Sequence, residues 1–386
     1  MNYIVELSKD SHEHELVNSC GLYLWQDVFN HDTQFYGSHL HKEALEQFLP
    51  NLEIDEFHPI EILPRIHGDK LQWIKIYLHE ISSIFTILKK VKKNKIKHVV
   101  FLSISPVALL FAKLYLKFNT VHANIIFTFH GELQVLIQDK LRLSQRLVRS
   151  IVRLNLSIQN SKVFYVVYGK TIKEKLSSLY PSVNSRILSI EHPFQTKFSK
   201  HTTFKDLYTI GAFGAISQHK NSHRIVELAD MMNTKMPKLN FKLVGKFIDH
   251  LQYNKDVITV VGGEDFLTRH DYEEELSTTS WLLYLYEDRN YELIASGAFL
   301  DAVLYNKPII CLKNNFFKNI LADYEIGIMV DSIEEFPSAL ECLFSRKDLQ
   351  EYYIMCQVNI KRYLNDYQLN SQVELLKEKI VNLTNS

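Results

Sequence analysis

Cysteine is scarce in this chain: its 386 residues include four, and no two of them are close together in sequence. They are Cys20, Cys311, Cys342 and Cys356. This spacing excludes the dense framework of a small disulfide-stapled domain and the paired ligands of a zinc site. The 17 histidines show no HExxH spacing, and no Asp-x-Asp pair is placed to hold a metal-bridged diphosphate. We therefore expect a protein of a reducing compartment.

Long uninterrupted apolar runs are also lacking. The best candidate, residues 98–118, is broken by Pro106, Lys113 and two serines, so it predicts a buried strand followed by a helix rather than a membrane span. Residues 1–7 form a strand pattern instead of a leader peptide. We expect a cytoplasmic protein without a transmembrane segment.

Short apolar runs that alternate with amphipathic segments dominate what is present. Hydrophobic residues make up 46% of the chain, enough to bury sizeable cores. The predicted strands are residues 3–7, 98–103, 124–129, 162–168, 186–190, 207–213, 241–245, 257–262, 280–286, 307–312 and 326–330. Continuous apolar strands separated by helices indicate buried parallel sheets. We predict an α/β fold with two doubly wound Rossmann-like domains facing across a cleft, joined by the polar segment 192–206.

Charge is balanced overall but not along the chain. Residues 81–200 contain 20 lysines and arginines against four acids, whereas residues 1–80 contain five against 14. In residues 141–158, four arginines recur at helical spacing beside a broad leucine and isoleucine face. They are Arg142, Arg146, Arg149 and Arg153. This pattern predicts either a basic amphipathic helix that docks on an anionic membrane through residues 140–153, or a domain helix with a solvated face.

Residues 211–225, "GAFGAISQHKNSHRI", join a predicted strand to a predicted helix. Glycine lets the backbone approach a ligand closely, a helix N-terminus offers unpaired N–H groups, and lysine adds positive charge. Gly214 and Lys220 are therefore candidate ligands of a phosphate. The alternative is a tight turn with a solvated lysine.

Residues 286–310, "YEDRNYELIASGAFLDAVLYNKPII", carry a second group of candidates. Ser296 and Gly297 begin a predicted helix, where their backbone N–H groups can face a phosphate. Asp301 lies about one turn further on, where it either accepts hydrogen bonds from a ribose diol or only complements the helix dipole. Glu292, in the preceding loop, either reaches a sugar hydroxyl or is a solvated loop charge.

Together, "FGAISQHKN" and "ASGAFLDAVLYNKPII" resemble the donor-site motifs of GT-B-fold glycosyltransferases, specifically the retaining, family-four-like enzymes of bacterial polysaccharide biosynthesis. That family has a glycine followed six residues later by a diphosphate-binding lysine, which Gly214 and Lys220 match. Asp301, with the following alanine and "NKP" turn, matches the family's ribose-binding acid, although the family has Glu there. An ungapped match puts Leu293, not Glu292, at the family's first acid, and the arginine often found near the lysine is absent.

The stretch "FTFHGELQ" (127–134) resembles the "T-x-H-G" segment of the same family. Under a retaining mechanism, which the resemblance favours, His130 would position the transferred sugar. Under an inverting mechanism, His130 or Glu132 would be the general base that deprotonates the acceptor hydroxyl. The alternative is a structural histidine at a strand end.

The resemblance implies a hexosyltransferase that moves a sugar from a nucleoside-diphosphate sugar to a saccharide or lipid-linked acceptor in capsule or lipopolysaccharide synthesis. It would need no metal or cofactor, and it would work in the cytoplasm or on the inner face of the membrane. Residues 1–195 would bind the acceptor, residues 205–365 would bind the nucleotide sugar, and residues 366–386 would cross back to the first domain. The alternatives are a nucleotide-sugar epimerase of the same architecture and a nucleic-acid-binding protein that uses residues 81–200. We expect no nucleic-acid partner, because a recognition motif is lacking.

Overall fold

The computed structural model describes residues 1–11, 13–64, 70–139, 141–195, 207–265 and 267–384. The chain forms two compact units. Unit 1 comprises Met1–Gln195, Leu293–Ala295 and Gln368–Ser386, and unit 2 comprises Thr196–Glu292 and Ser296–Tyr367. Most of the predicted joining segment, residues 196–206, lies outside the described residues. Within the described part of the chain, no helix is both long and apolar enough to cross a bilayer.

Unit 1 is built on a parallel sheet that has seven strands in the described residues, in the order β3-β2-β1-β4-β5-β6-β7. The strands are β1 (Asn2–Glu6), β2 (Thr33–Gly37), β3 (Phe57–Pro59), β4 (His98–Ser103), β5 (Asn124–Phe129), β6 (Val163–Tyr168) and β7 (Ile187–Ile190). The helices of unit 1 are α1 (Glu15–Val28), α2 (His39–Phe48), α3 (Lys70–Lys93), α4 (Pro106–Phe118), α5 (Leu143–Ser157), α6 (Lys170–Leu179) and α14 (Leu369–Thr384).

The apolar stretch 98–118 folds as predicted, into strand β4 followed by helix α4. Pro106 occupies the first turn of α4, where its missing N–H costs nothing, and the Ser105 side chain caps the helix by accepting from the Ala108 N–H. Strands β1, β5 and β6 are buried along their whole length, which explains their continuous apolar sequences. Helix α14 packs on α1, and its Lys379 donates to the Ser189 carbonyl at 3.1 Å.

Unit 2 is built on a second parallel sheet, with six described strands in the order β10-β9-β8-β11-β12-β13. The strands are β8 (Thr209–Phe213), β9 (Asn240–Val244), β10 (Ile258–Val261), β11 (Trp281–Tyr284), β12 (Ile309–Leu312) and β13 (Gly327–Val330). Its helices are α7 (Ser222–Lys235), α8 (Arg269–Ser277), α9 (Asp288–Tyr291), α10 (Gly297–Leu304), α11 (Asn315–Asp323), α12 (Phe336–Phe344) and α13 (Leu349–Asp366).

Each sheet changes its direction of winding once, and ligands of such sheets bind beyond the carboxyl ends of the strands at that point. In unit 2 the change falls between β8 and β11, so the loops after these two strands lie side by side. In unit 1 it falls between β1 and β4, with β5 next in the sheet. The predicted α/β fold with two Rossmann-like sheets is confirmed, although β2 and β3 were not among the predicted strands.

Candidate functional site

The backbone bends sharply at Gly214, immediately after β8. Its φ is +102°, a conformation that L-residues with a side chain rarely adopt. Its N–H donates to the Val244 carbonyl at 2.9 Å, and a Cβ on Gly245 would lie 1.8 Å from the Gly214 carbonyl oxygen. The Gly214 carbonyl therefore occupies the space that a side chain at position 245 would need, and only glycine fits there.

Lys220 ends the short 3₁₀ turn that follows this bend, and Ser217 begins the turn by accepting from the Lys220 N–H. The Lys220 ammonium lies 5.5 Å from the centroid of the Tyr286 ring. It also lies 3.0 Å from the position that a Cβ on Gly214 would take. The structure therefore brings Gly214 and Lys220 together and places the Lys220 charge near Tyr286, two residues after the end of β11.

Tyr286 connects Lys220 to the start of helix α10. Burial raises the pKa of Tyr286, and a hydrogen bond with the Ser296 hydroxyl opposes that rise. Ser296 caps α10 by accepting from the Phe299 N–H at 3.3 Å, while the Tyr284 hydroxyl donates to the Ala298 carbonyl at 2.8 Å. Ser296 and Lys220 thus both lie against Tyr286, which no motif in the sequence indicated.

Gly297 is the first residue of α10, and it is exposed. A Cβ placed on it would meet no atom within 4 Å. The first N–H groups of a helix have no acceptor inside the helix, and the one of Phe299 is taken by Ser296. The open space beside Gly297 is therefore a place where an anion can approach the positive end of the α10 dipole.

Asp301 is 7% exposed and is held by two residues of α8. The Tyr272 hydroxyl donates to Oδ2 at 2.7 Å, and an Arg269 nitrogen lies 3.9 Å from Oδ1. Burial raises the pKa of Asp301, while Arg269, Tyr272 and Lys220 lower it. The carboxylate is therefore part of a polar cluster that includes Arg269. Arg269 and Tyr272 lie about 30 positions before Asp301, and no local spacing in the sequence pointed to them.

Glu292 follows the one-turn helix α9, and its Oε1 accepts a hydrogen bond from the Asn315 side chain at 3.3 Å. The next residue, Leu293, is buried and belongs to unit 1, where its N–H donates to the Gln134 side chain at 2.9 Å. The position that matches the family's first acid thus holds a core leucine. Glu292, one position before Leu293, is the carboxylate nearest to that position in the sequence.

His130 follows β5 in unit 1. Its Nε2 lies 2.7 Å from the Leu102 carbonyl, and because a carbonyl only accepts, Nε2 carries the proton. In the neutral ring, Nδ1 is then the nitrogen with a free lone pair. His130 also belongs to a row of rings whose neighbouring centroids are 4.9–5.3 Å apart. The other members of the row are His14, Tyr168 and His192.

Glu132 folds back onto the loop that carries His130. Its Oε2 accepts from the backbone N–H groups of His130, at 2.8 Å, and Gly131, at 3.1 Å. The carboxylate is thereby fixed in direction at the carboxyl edge of the sheet.

A buried polar cluster around Glu6 fixes the loop that follows β1. The Glu6 carboxylate accepts from the N–H groups of Ser8 and Lys9 and from the Asn18 side chain, at 2.8–2.9 Å. No motif pointed to this cluster, although an acid at the end of the apolar run "YIVE" was a signal for it.

Helix α5 differs from the prediction at one arginine. Arg149 is only partly exposed and donates to the carbonyls of Val135 and Gln138, so it holds the 3₁₀ turn after β5. Arg142, Arg146 and Arg153 are exposed as predicted. Leu143, Leu147 and Leu154 are also exposed, and Leu143 reaches 85%. The first residue of the predicted membrane segment, Lys140, lies outside the described residues.

Comparisons with known proteins establish the class of fold. No family model matches the chain, and no curated protein matches it in sequence. Solved structures match over its whole length at low identity. Anabaena HepE, solved in complex with UDP and glucose, superposes with a TM-score of 0.66 at 10% identity, covering 99% of each chain.

Two further structures agree. Sucrose-phosphate synthase from Thermosynechococcus elongatus gives a TM-score of 0.68 at 11% identity, over 100% of this chain and 99% of that one. WaaG, a glycosyltransferase involved in lipopolysaccharide biosynthesis, gives a TM-score of 0.59 at 11% identity, over 98% of this chain and 99% of that one. The chain has the fold of GT-B, family-four-like glycosyltransferases, and the predicted resemblance is confirmed at that level.

Proposed function

We propose that this protein is a glycosyltransferase that takes a hexose from a nucleoside-diphosphate sugar. The observation that carries the proposal is the cluster in unit 2, where Lys220, Gly214 and the capped start of α10 surround Tyr286. An ammonium group, open backbone amides and a helix dipole are what a leaving diphosphate needs. Since HepE was solved with UDP and with UDP-glucose, a uridine donor is the first choice to test.

The residues have separate roles in this proposal. Lys220 and the N–H groups of Ser296 and Gly297 hold the diphosphate, so that no metal or cofactor is required. Asp301 accepts hydrogen bonds from the ribose hydroxyls. Its side chain, beside Arg269, has 10% of its surface exposed for this contact. Glu292 contacts the transferred sugar.

In unit 1, the free Nδ1 of His130 is the atom that hydrogen-bonds the sugar under the retaining mechanism, which we favour. Under the inverting mechanism, that Nδ1 or the Glu132 carboxylate would take the proton of the acceptor hydroxyl. Anomer analysis of the product by NMR distinguishes the two mechanisms.

A thermal-shift screen with UDP, GDP and ADP sugars tests the donor site. A ligand that binds only the folded state at 100 times its Kd adds about 2.7 kcal/mol of stability. We expect one nucleotide class to raise the melting temperature, and no shift with any of them would contradict the proposal. Product analysis without an acceptor separates a transferase from an epimerase, since only the epimerase would form a new nucleotide sugar.

The proposed acceptor is a saccharide or lipid-linked saccharide of bacterial surface polysaccharide synthesis, such as capsule or lipopolysaccharide. Exposed apolar side chains on the neighbouring helices α3, α4 and α5 of unit 1 support a membrane location. They are Trp73, Ile74, Leu78, Phe111, Phe118, Leu143, Leu147 and Leu154. Exposed lysines and arginines on the same helices, among them Lys89, Lys117 and Arg146, suit an anionic inner leaflet of the cytoplasmic membrane. RNA or DNA retained through purification would instead favour nucleic-acid binding.

A further inference from the structure

Unit 1 contains a pocket of about 170 Å³ that the sequence did not predict, although Glu132 is one of the residues that line it. It opens at the carboxyl ends of β1 and β4 and is bounded by the first half of helix α3. Its walls include Ser8, Trp73, Tyr77, Glu80, Ser105 and Glu132. The volume is below the ~300 Å³ at which pockets for drug-sized ligands begin, so it suits a single ring rather than a chain.

The walls have an aromatic side and a carboxylate side, and Lys9 and His79 also line the pocket. Trp73 and Tyr77, one turn apart on α3, have ring centroids 6.0 Å apart and give an aromatic side. Glu80 and Glu132 give a carboxylate side, and each is fixed by the backbone: Glu80 accepts from the Ser105 N–H at 2.8 Å, and Glu132 from the loop of His130. Fixed carboxylates beside aromatic faces match a pyranose ring, which has an apolar C–H face and donating hydroxyls.

The pocket also adjoins exposed apolar surface. Trp73 is 39% exposed, and Ile74 and Leu78 on the same helix are more exposed still. A free sugar would leave these side chains in water, whereas the hydrocarbon of a lipid-linked sugar would cover them. The apolar side chains therefore argue for an amphiphilic occupant.

We propose that this pocket binds the head-group sugar of a lipid-linked acceptor. Trp73 and Tyr77 pack on the sugar ring, Glu80 and Glu132 accept from its hydroxyls, and the hydrocarbon leaves over Ile74 and Leu78. The proposal rests on the proposed transferase function and specifies its acceptor class and the residues that select it.

Tryptophan fluorescence reports on the pocket directly. All three tryptophans lie within the described residues; Trp25 and Trp281 are buried, so Trp73 is the one that a ligand can reach. The probes are octyl glucoside below its micelle concentration, methyl glucoside and octanol. We expect octyl glucoside to change the tryptophan fluorescence saturably and octanol not to do so. Methyl glucoside should bind at least tenfold more weakly than octyl glucoside. Equal responses to octyl glucoside and octanol, or equal affinity for the two glucosides, would overturn the proposal.

Substitutions assign the binding to the pocket. Tyr77→Ala and Glu132→Gln leave Trp73 as the reporter, and each should lower the affinity for octyl glucoside at least tenfold. Phe118→Ala also removes an exposed ring from unit 1 but lies outside the pocket, and should leave the affinity unchanged. Circular dichroism and melting temperature confirm that each variant is folded.

The same protein separates failure of this proposal from failure of the function. A nucleotide-sugar thermal shift without saturable glucoside binding overturns the acceptor pocket and leaves the transferase proposal standing. Saturable glucoside binding that is unaffected by Tyr77→Ala and Glu132→Gln also overturns it. If no nucleotide sugar raises the melting temperature but octyl glucoside still binds, the proposed donor site is contradicted instead.

Discussion

The Lys220 ammonium is the one full positive charge that the donor proposal places on the diphosphate. Lys220→Met keeps the length of the side chain and removes that charge. We expect turnover to fall by about 10²–10³, the usual cost of removing one preorganised electrostatic contact in an active site. Steady-state kinetics with the donor identified by thermal shift gives the measurement.

Lys238→Met is the matched control, since Lys238 is exposed and belongs to the same unit. It should leave turnover and the nucleotide shift unchanged. An unchanged rate in Lys220→Met, with both variants folded, would refute the placement of the diphosphate.

Lys307 provides a prediction about pH. Its side chain is fully buried and donates to the carbonyls of Thr279, at 2.6 Å, and Ser277, at 3.3 Å. Burial lowers its pKa from 10.5 to about 7. Between those two pH values the unfolded chain holds more protons than the folded one, so this lysine makes stability rise with pH.

The Lys307→Met variant lacks that titration. The difference in unfolding free energy between wild type and variant should therefore widen in favour of wild type as pH rises from 7 to 10. Urea midpoints at several pH values measure it, with Lys238→Met as the control whose difference stays constant. A constant difference for Lys307→Met would contradict the burial of a lysine with a lowered pKa.

Sequence spacing pointed to those residues around Tyr286 whose contacts are local. Gly214 and Lys220 are six positions apart on one turn, and Ser296 and Gly297 are adjacent, so a motif could reveal them. Tyr286 was visible only as a strand end. Arg269 and Asp301 lie on different helices, α8 and α10, and meet only through their side chains, so no local spacing in the sequence encodes their contact.

At the scale of elements, the close contact between the ends of β8 and β9 makes Gly245 irreplaceable. Its φ is +144°, and an added Cβ would lie 1.8 Å from the Gly214 carbonyl oxygen. We expect Gly245→Ala to cost about 3 kcal/mol or more of stability, because strain and a backbone clash add together. Gly263→Ala is the control: its Cβ would meet nothing within 4 Å, and we expect a change below about 0.5 kcal/mol. Equal urea midpoints for the two variants would contradict this.

Helix α5 allows a test of the membrane location. Replacing Leu143, Leu147 and Leu154 by Gln should lower binding to anionic vesicles at least tenfold, because their exposed apolar surface would no longer enter the interface. The control replaces Ile354 and Val358, two exposed apolar residues of α13 in unit 2, by Gln. Vesicle sedimentation measures both. Equal binding of wild type to anionic and zwitterionic vesicles would exclude the proposed attraction.

The elements that the sequence predicted are the long or strongly apolar ones. Strands β4, β5 and β6 are continuous apolar runs, and the structure has them at the predicted places. Strand β3 has three residues, "FHP", and β2 is "TQFYG" with only its second half buried. Strand β3 is at the edge of the sheet and β2 is next to it, and both have few buried apolar residues, so their sequences carry a weak signal.

At the scale of the whole molecule, the chain folds into units that are not contiguous in sequence. The last helix, α14, belongs to unit 1, where it packs on α1 near the beginning of the chain. The predicted strands indicated two cores, but the place of this helix was expected from the family resemblance alone. An amphipathic helix shows in its sequence which of its faces is buried and not what it is buried against.

The two cores lead to a final prediction. Leu376 on α14 and Leu340 on α12 are both fully buried, the first in unit 1 and the second in unit 2. Truncating either to Ala should cost about 2–5 kcal/mol, and the cost should fall on the core that lost the side chain. Hydrogen exchange measured by mass spectrometry should show faster exchange in β4 and β5 for Leu376→Ala, and in β8 and β11 for Leu340→Ala. The same acceleration in both sheets for either variant would mean that the two units unfold together, so that a helix at the end of the chain stabilises both.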